Sequence, residues 1–364
     1  MAGLACCKKA NTEDLFPETL KDFGYEFKDG KMRNIETGEG FKFVVKEGDQ
    51  AYNQKHYEAI GEIITEEVYT LLKTECGLKP LPVPSDAEPS EPSTFVFASE
   101  DALSNPEKLL ILIHGSGVVR AGQWARRLII NDTLDSGTQV PFIKEAQKDG
   151  YGVLVMNTND NYRRSQLNRS KIRGSETPEC HAQYVWEQYI NPAKAKHIAI
   201  IAHSYGGCVT TSLFKTKREE LIKRVFCVAM TDSVHFLSNP VAYKELVKVS
   251  RNWVCSQQPL DAPVSTQRGD IERVSAGVSV HEQTSWSSFP SVFKFLRERL
   301  AVAVEKKGQK STTDTADDGV DEGSPGAATP AGGRGGKGTD HSMSDEDDEA
   351  DDDGSNTKKM KITK

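Results

Sequence analysis

The chain has 364 residues, of which 37% are hydrophobic, and a formal net charge of −7. The charge is uneven, because the segment from 304 onward holds nine Lys and Arg against fifteen Asp and Glu and leaves the preceding 303 residues almost neutral. A nearly neutral globular part argues against nucleic-acid binding through bulk positive charge, although a local patch at Arg120, Arg126 and Arg127 stays open. No apolar stretch reaches the roughly 18 residues of a transmembrane helix, so we expect no membrane span.

The cysteines indicate a reducing compartment. There are seven, an odd number, and they are widely scattered without zinc spacing. We expect most of them to be small core residues. The chain also lacks a phosphate-binding loop, since no lysine follows the glycine-rich His114-Gly115-Ser116-Gly117 segment. The sequence therefore predicts neither a cofactor nor a bound metal.

The N-terminal part predicts a hairpin followed by a long helix. Apolar and polar residues alternate on both sides of Asp29-Gly30, which is a hairpin signal. Apolar positions from 52 to 75 recur at helical spacing and predict an amphipathic helix that packs on the core. Five prolines between 78 and 92 predict a loop or linker.

Strands and helices alternate in the remainder of the globular part. Predicted strands lie at 94–98, 109–113, 151–157, 198–202, 224–230, 252–255 and 273–275. Predicted helices lie at 123–131, 141–148, 179–190, 206–217 and 289–300, and the polar segment 159–178 predicts an exposed loop. This alternation predicts a three-layer α/β sandwich of the α/β-hydrolase type, with a mostly parallel sheet and antiparallel strands at its N-terminal side.

Ser204 stands where such a fold places a nucleophile. A continuous apolar run at 198–202 predicts a strand buried on both faces, and Gly206-Gly207 open the next helix. A serine between such a strand and helix forms a nucleophile elbow, which needs small residues two positions to either side. Ala202 and Gly206 fill those positions, although the usual first glycine is replaced by alanine.

Acyl transfer at a serine also needs oxyanion donors and a base. The segment Gly115, Ser116 and Gly117 follows an early buried strand, where an oxyanion loop belongs, and the N–H of Tyr205 after the serine would complete the hole. His281 lies between the last short strand and the terminal helix, which is the position of the base in such folds.

Two carboxylates are candidates for the acid that orients the base. Asp261 follows the penultimate strand, where the acid most often lies, and we expect one of its oxygens within about 3 Å of His281 Nδ1. Asp232 follows the strand after the elbow and is the alternative. Either residue could instead cap a helix or fix a turn.

Several segments closely resemble one family. LLILIHGSGVVRAGQWARRLIIN, IAHSYGG, MTDSVH, RVSAG and HEQTSWSSFPSVFKF are similar to the Argonaute-binding Arb-type domain of vertebrate cotranscriptional regulators. The resemblance implies an α/β-hydrolase fold with a serine nucleophile that matches Ser204. It also implies a protein of the nucleus and cytoplasm whose partners are Argonaute-type, chromatin or splicing proteins.

Function and domain limits follow as expectations. The resemblance favours an adaptor, whereas the Ser-His-Asp pattern favours an esterase-like enzyme with a small acyl or ester substrate, and fold alone does not decide between them. We expect a flexible N-terminus at 1–14, an Arb-type domain at 15–300, and a disordered acidic tail with a basic end at 308–364. The acidic run 345–353 suits contact with basic proteins, and Ser342 and Ser344 precede it as candidate phosphorylation sites.

Overall fold

The structure is a computed structural model that describes residues 16–164, 169–237 and 241–314. The predictions for 1–14 and for the acidic tail beyond 314 lie outside the described residues. The domain limits stay predictions.

Thirteen strands are formed by the described residues. They are β1 (Tyr25–Lys28), β2 (Lys31–Asn34), β3 (Lys79–Val83), β4 (Thr94–Ala98), β5 (Lys108–Ile113), β6 (Gly152–Val155), β7 (Tyr162–Arg164), β8 (Arg169–Lys171), β9 (His197–His203), β10 (Val225–Thr231), β11 (Ser250–Val254), β12 (Pro263–Val264) and β13 (Glu272–Ser275). The α-helices are α1 (Gln50–Thr74), α2 (Arg126–Asn131), α3 (Leu134–Gly137), α4 (Val140–Lys148), α5 (Pro178–Val185), α6 (Gly206–Arg224), α7 (Lys244–Val249) and α8 (Thr284–Asp314). A π-helical turn, Trp186–Ile190, continues α5, and a 3₁₀ turn, His281–Gln283, precedes α8.

Nine strands form one central sheet in the order β12-β13-β11-β10-β9-β5-β6-β4-β3. The six strands from β13 to β6 are parallel, and β4 and β3 add two antiparallel strands at one end. β5 lies between β9 and β6, so the chain adds β6 on one side of β5 and later adds β9 on the other side. This strand order is that of an α/β-hydrolase-like sheet. The predicted fold class is therefore confirmed.

Alternate residues of the central strands enter two separate hydrophobic cores. In β5, Leu110 and Leu112 pack with α1, α4 and α8, whereas Leu109 and Ile111 pack with α5 and α6 on the opposite face. This burial on both faces explains the continuous apolar runs of the parallel strands. None of the helices in the described ranges combines the length and apolar character needed to cross a membrane.

The hairpin prediction is confirmed, but the hairpin forms its own small sheet. Asp29 (φ 51°) and Gly30 (φ 72°) are both left-handed, as an Asp-Gly hairpin turn requires, and among the described strands β1 pairs with β2 alone. The antiparallel extension of the main sheet comes from β3 and β4 instead.

Three predicted segments differ from the structure. The proline-rich segment predicted as a loop contains β3, which tolerates Pro80 and Pro82 because it is the edge strand of the sheet. The polar loop 159–178 contains the short pair β7–β8. The last helix is longer than predicted, since α8 begins at Thr284 and continues to Asp314, into the segment expected to be disordered.

Candidate active site

Ser204 occupies a strained turn between β9 and α6. Its φ is 52°, in the left-handed region that only glycine adopts freely. The turn is held by the Ser204 N–H, which donates to the Thr231 carbonyl at 3.2 Å. A Cβ on Gly206 would lie 2.7 Å from the Ile113 carbonyl oxygen, so only glycine allows helix and strand to approach this closely. These features are those of a nucleophile elbow.

The segment after β5 lies directly beside this serine. A Cβ on Gly115 would lie 2.9 Å from Ser204 Cβ and 3.4 Å from its Oγ. Within the described part of the chain, the N–H groups of Ser116 and Tyr205 donate to no other protein group. Gly117 (φ 96°) closes the turn. The loop therefore offers free backbone donors next to the hydroxyl.

Asn159 fixes this loop and was not anticipated from the sequence. Its side-chain nitrogen donates to the carbonyl of Gly115 at 2.9 Å and to that of Val119 at 3.1 Å. It lies in a segment interpreted as an exposed loop, where a lone asparagine gives no signal of such a role.

The acid that contacts the histidine is Asp232. His281 Nδ1 donates to Asp232 Oδ2 over 2.7 Å. Asp232 follows β10 with a left-handed φ of 40°, and its second oxygen accepts the Cys255 N–H at 3.0 Å. The strand end and the 3₁₀ turn thus bring acid and histidine together.

The expectation that Asp261 orients His281 is wrong. Asp261 Oδ1 accepts from Trp253 Nε1 at 2.7 Å, and Oδ2 accepts from the Ser291 hydroxyl at 2.6 Å. The chain turns back at Asp261, where φ is 67°, to form antiparallel β12. This reversal directs the Asp261 carboxylate toward Ser291 in α8, so Asp261 has a structural role.

Asp232 and His281 shift each other's pKa. Burial raises the pKa of Asp232, but hydrogen bonds from His281 and Cys255 outweigh this effect and lower it to about 2. The hydrogen bond to Asp232 raises the pKa of His281 against the opposing effect of burial. Asp232 is therefore ionised at neutral pH and holds a proton on the Nδ1 side of the ring.

Ser204 and His281 line one cavity of about 430 Å³, together with the segment 115–117, Tyr57 and Arg126. No hydrogen bond joins Ser204 Oγ to His281 among the described residues. The neighbouring His203 packs against the His281 ring, with centroids 4.8 Å apart. The structure thus assembles the acid–histidine pair and places the serine in the same cavity, without the serine–histidine contact.

His203 is not a second base. It is buried, and its Nδ1 lies 2.9 Å from the Thr231 carbonyl. Burial lowers its pKa to about 4. Its role is to support the His281 ring.

A thiol adjoins the acid. Cys255 Sγ lies 2.9 Å from Asp232 Oδ2, which is the same oxygen that accepts from His281. The atoms of the three side chains that could ligate a metal all lie within 4.8 Å of one another. Burial raises the pKa of Cys255 to about 12, so the thiol is protonated. No sequence spacing predicted this cluster, because its members come from three separate loops.

A parallel sheet in this order, with a serine elbow and an Asp–His pair at one edge, defines an α/β-hydrolase-like protein. A sequence model of the Arb2 domain matches residues 16–260, and the chain belongs to the Arb2 domain family.

Curated relatives extend this assignment. The chain is 44% identical over 337 residues to the mouse (Mus musculus) protein named cotranscriptional regulator ARB2A, covering 78% of this chain and 81% of the relative. A Dictyostelium discoideum protein named as a homolog of it is 32% identical over 320 residues, covering 78% and 80%.

Solved structures match more loosely. The histone deacetylase Clr3 aligns with a TM-score of 0.41 and 12% identity, covering 66% of this chain and 39% of that chain. The esterase LipW from Mycobacterium marinum aligns with a TM-score of 0.30 and 14% identity, covering 54% and 55%. Both scores are low, so the fold class here depends on the strand order.

Proposed function

We propose that this protein acts in cotranscriptional regulation. The supporting observation is its 44% identity, over 81% of their length, to relatives named cotranscriptional regulators. In this role it binds Argonaute-type and chromatin or splicing proteins, in the nucleus and cytoplasm. We expect no direct nucleic-acid site, because the nearly neutral globular part lacks the bulk positive charge that binds phosphates.

A second candidate function is serine hydrolysis of a small acyl or ester substrate. The contact between Asp232 and His281 favours it, since an adaptor has no need of an ionised acid bonded to Nδ1 of a partly exposed histidine. The cavity of about 430 Å³ that Ser204 and His281 line suits a small acyl group.

The chemistry of this candidate follows the arrangement of the site. His281 Nε2 takes the proton as Ser204 Oγ attacks the acyl carbon, and the N–H groups of Ser116 and Tyr205 bind the developing oxyanion. His281 then gives the proton to the leaving group, and a water molecule repeats the sequence to release the acid. The serine–histidine contact has to form when substrate enters, as often occurs in such sites.

Replacing Ser204 separates the two functions. In cells that lack the protein, we expect the Ser204→Ala variant to capture the same regulatory proteins as wild type and to restore the same transcripts, if binding alone carries the regulatory role. Ser212→Ala, in the helix α6 that follows the Ser204 turn, is the matched control. Loss of rescue with Ser204→Ala alone would assign regulation to the hydrolase chemistry, and absence of regulatory partners on wild type would contradict the first proposal.

A further inference from the structure

The cluster of Asp232, Cys255 and His281 has more polar groups than a hydrolase triad uses. Asp232 Oδ2 accepts from His281 Nδ1 at 2.7 Å and from Cys255 Sγ at 2.9 Å. A triad needs only the first of these contacts, because its acid orients one imidazole. The thiol therefore calls for an explanation beyond the proposed hydrolysis.

The backbone fixes the positions of the three side chains. Asp232 ends β10 and Cys255 follows the adjacent parallel strand β11, and the Cys255 N–H donates to Asp232 Oδ1 at 3.0 Å. The Asp232 N–H donates to the Trp253 carbonyl at 2.6 Å. Two side chains thus come from paired strand ends, and His281 closes the cluster from the turn before α8. Such fixed donors lower the entropic cost of binding an ion.

Their chemistry is that of a zinc site. Thiolate, imidazole and carboxylate are all zinc ligands, and three protein ligands with one open position is a common arrangement. Tetrahedral zinc separates its ligand atoms by roughly 3.3–3.7 Å. The Cys255–Asp232 and His281–Asp232 contacts would each widen by roughly half an ångström. His281 is 44% exposed and Asp232 is 23% exposed, so an ion can enter and keep a water ligand.

We propose that Asp232, Cys255 and His281 bind one zinc ion, and that zinc binding switches off the base of the Ser204 site. The thiol proton leaves to solvent, and sulfur, Oδ2 and Nδ1 bind the metal. The ring proton of neutral His281 then resides on Nε2. An Nε2 that carries a proton cannot accept one from Ser204. The second half of this proposal rests on the proposed hydrolase function, whereas the zinc site itself does not.

Zinc binding to the full chain tests the site. Calorimetric titration with zinc chloride should show one tight ion per chain, and Cys255→Ser should weaken it by more than about 100-fold, because even outer-shell changes cost 10–100-fold. Cys208→Ser is the matched control, because Cys208 is also a partly buried thiol but lies in α6 and donates to the Val234 carbonyl. Cobalt substitution should give a thiolate-to-metal absorption band in wild type and Cys208→Ser that Cys255→Ser lacks. Equal zinc affinity in wild type and Cys255→Ser would overturn the site, and thermal unfolding without metal checks that both variants are folded.

Labelling of Ser204 by a fluorophosphonate separates the two halves. Zinc should slow labelling at least tenfold in wild type and Cys208→Ser but not in Cys255→Ser, each compared with its own zinc-free rate. If Ser204 is never labelled while zinc binding still depends on Cys255, the hydrolase proposal fails and the zinc site stands. If labelling proceeds equally with and without bound zinc, the switch is overturned.

Discussion

His281 Nδ1 lies 2.7 Å from Oδ2 of Asp232, a residue held in a left-handed turn at the end of β10. The contact joins the end of β10 to the 3₁₀ turn that precedes α8. It fixes one ring nitrogen as a donor and leaves the other for proton transfer. The chemical proposals for Ser204 depend on this pair.

Asp232→Asn should therefore reduce turnover at Ser204 by up to about 10⁴-fold, because the imidazole loses both its tautomer and its charge partner. Asp261→Asn is the matched control: its carboxylate bonds to Trp253 and Ser291, so we expect lower stability with little change in turnover per folded molecule. Ester hydrolysis, normalised to the folded fraction, measures both. Equal rates for wild type and Asp232→Asn would refute the assignment of the acid.

Buried histidines should make stability depend on pH. Burial lowers the pKa of His114 to about 4 and that of His181 to about 3. Unfolded histidine has a pKa of about 6.5, so below that pH the unfolded chain binds protons that the native state refuses. As the pH falls from about 6 to 4, each of these two histidines should lower the free energy of unfolding by about 1.4 kcal/mol per pH unit. Neither should have an effect above about pH 7.5.

Urea titrations across this range check the sign. His181 accepts the Asn157 N–H and lies 2.9 Å from the Ser175 hydroxyl. A His181→Gln variant should show a shallower pH dependence than wild type, whatever its stability at pH 8. Parallel curves for the two proteins would contradict the account of His181.

Gly206→Ala tests how closely the elbow is packed. The new methyl would lie 2.7 Å from the Ile113 carbonyl oxygen, and we expect a loss of about 1–3 kcal/mol despite alanine's higher helix propensity. At Gly40, where a Cβ would meet only the end of Arg33 at 3.7 Å, alanine should have little effect. Urea unfolding measures both, and a stable Gly206→Ala protein would show that the elbow has room for a methyl group.

Removal of the acidic tail tests its predicted contacts. Deletion of 315–364, which leaves α8 complete, should weaken chromatin association and nuclear accumulation because it removes the acidic run and the final lysines. The urea midpoint of the remaining protein serves as the control for folding. Unchanged localisation and chromatin association would mean that the tail only keeps the chain in solution.

Parts of this architecture follow from the sequence and parts do not. Strands β5, β9 and β10 are predictable because each is a continuous apolar run buried on both faces. β3 is not predictable, because its prolines are typical of a loop, although an edge strand tolerates them. The choice between Asp232 and Asp261 depends on the direction of two left-handed turns, which no local pattern encodes. Cys255 joins the site only through strand pairing.

Mass-spectrometric mapping of a fluorophosphonate adduct on the folded full chain tests the central chemical claim most directly. Because Ser204 is strained, adjoins free backbone donors and shares its cavity with the His281–Asp232 pair, we predict one adduct, on Ser204. Its formation should slow by orders of magnitude in His281→Ala, while Ser212→Ala reacts like wild type. Failure of folded wild-type protein to form the Ser204 adduct would contradict the claim that this Arb2 domain carries a working nucleophile.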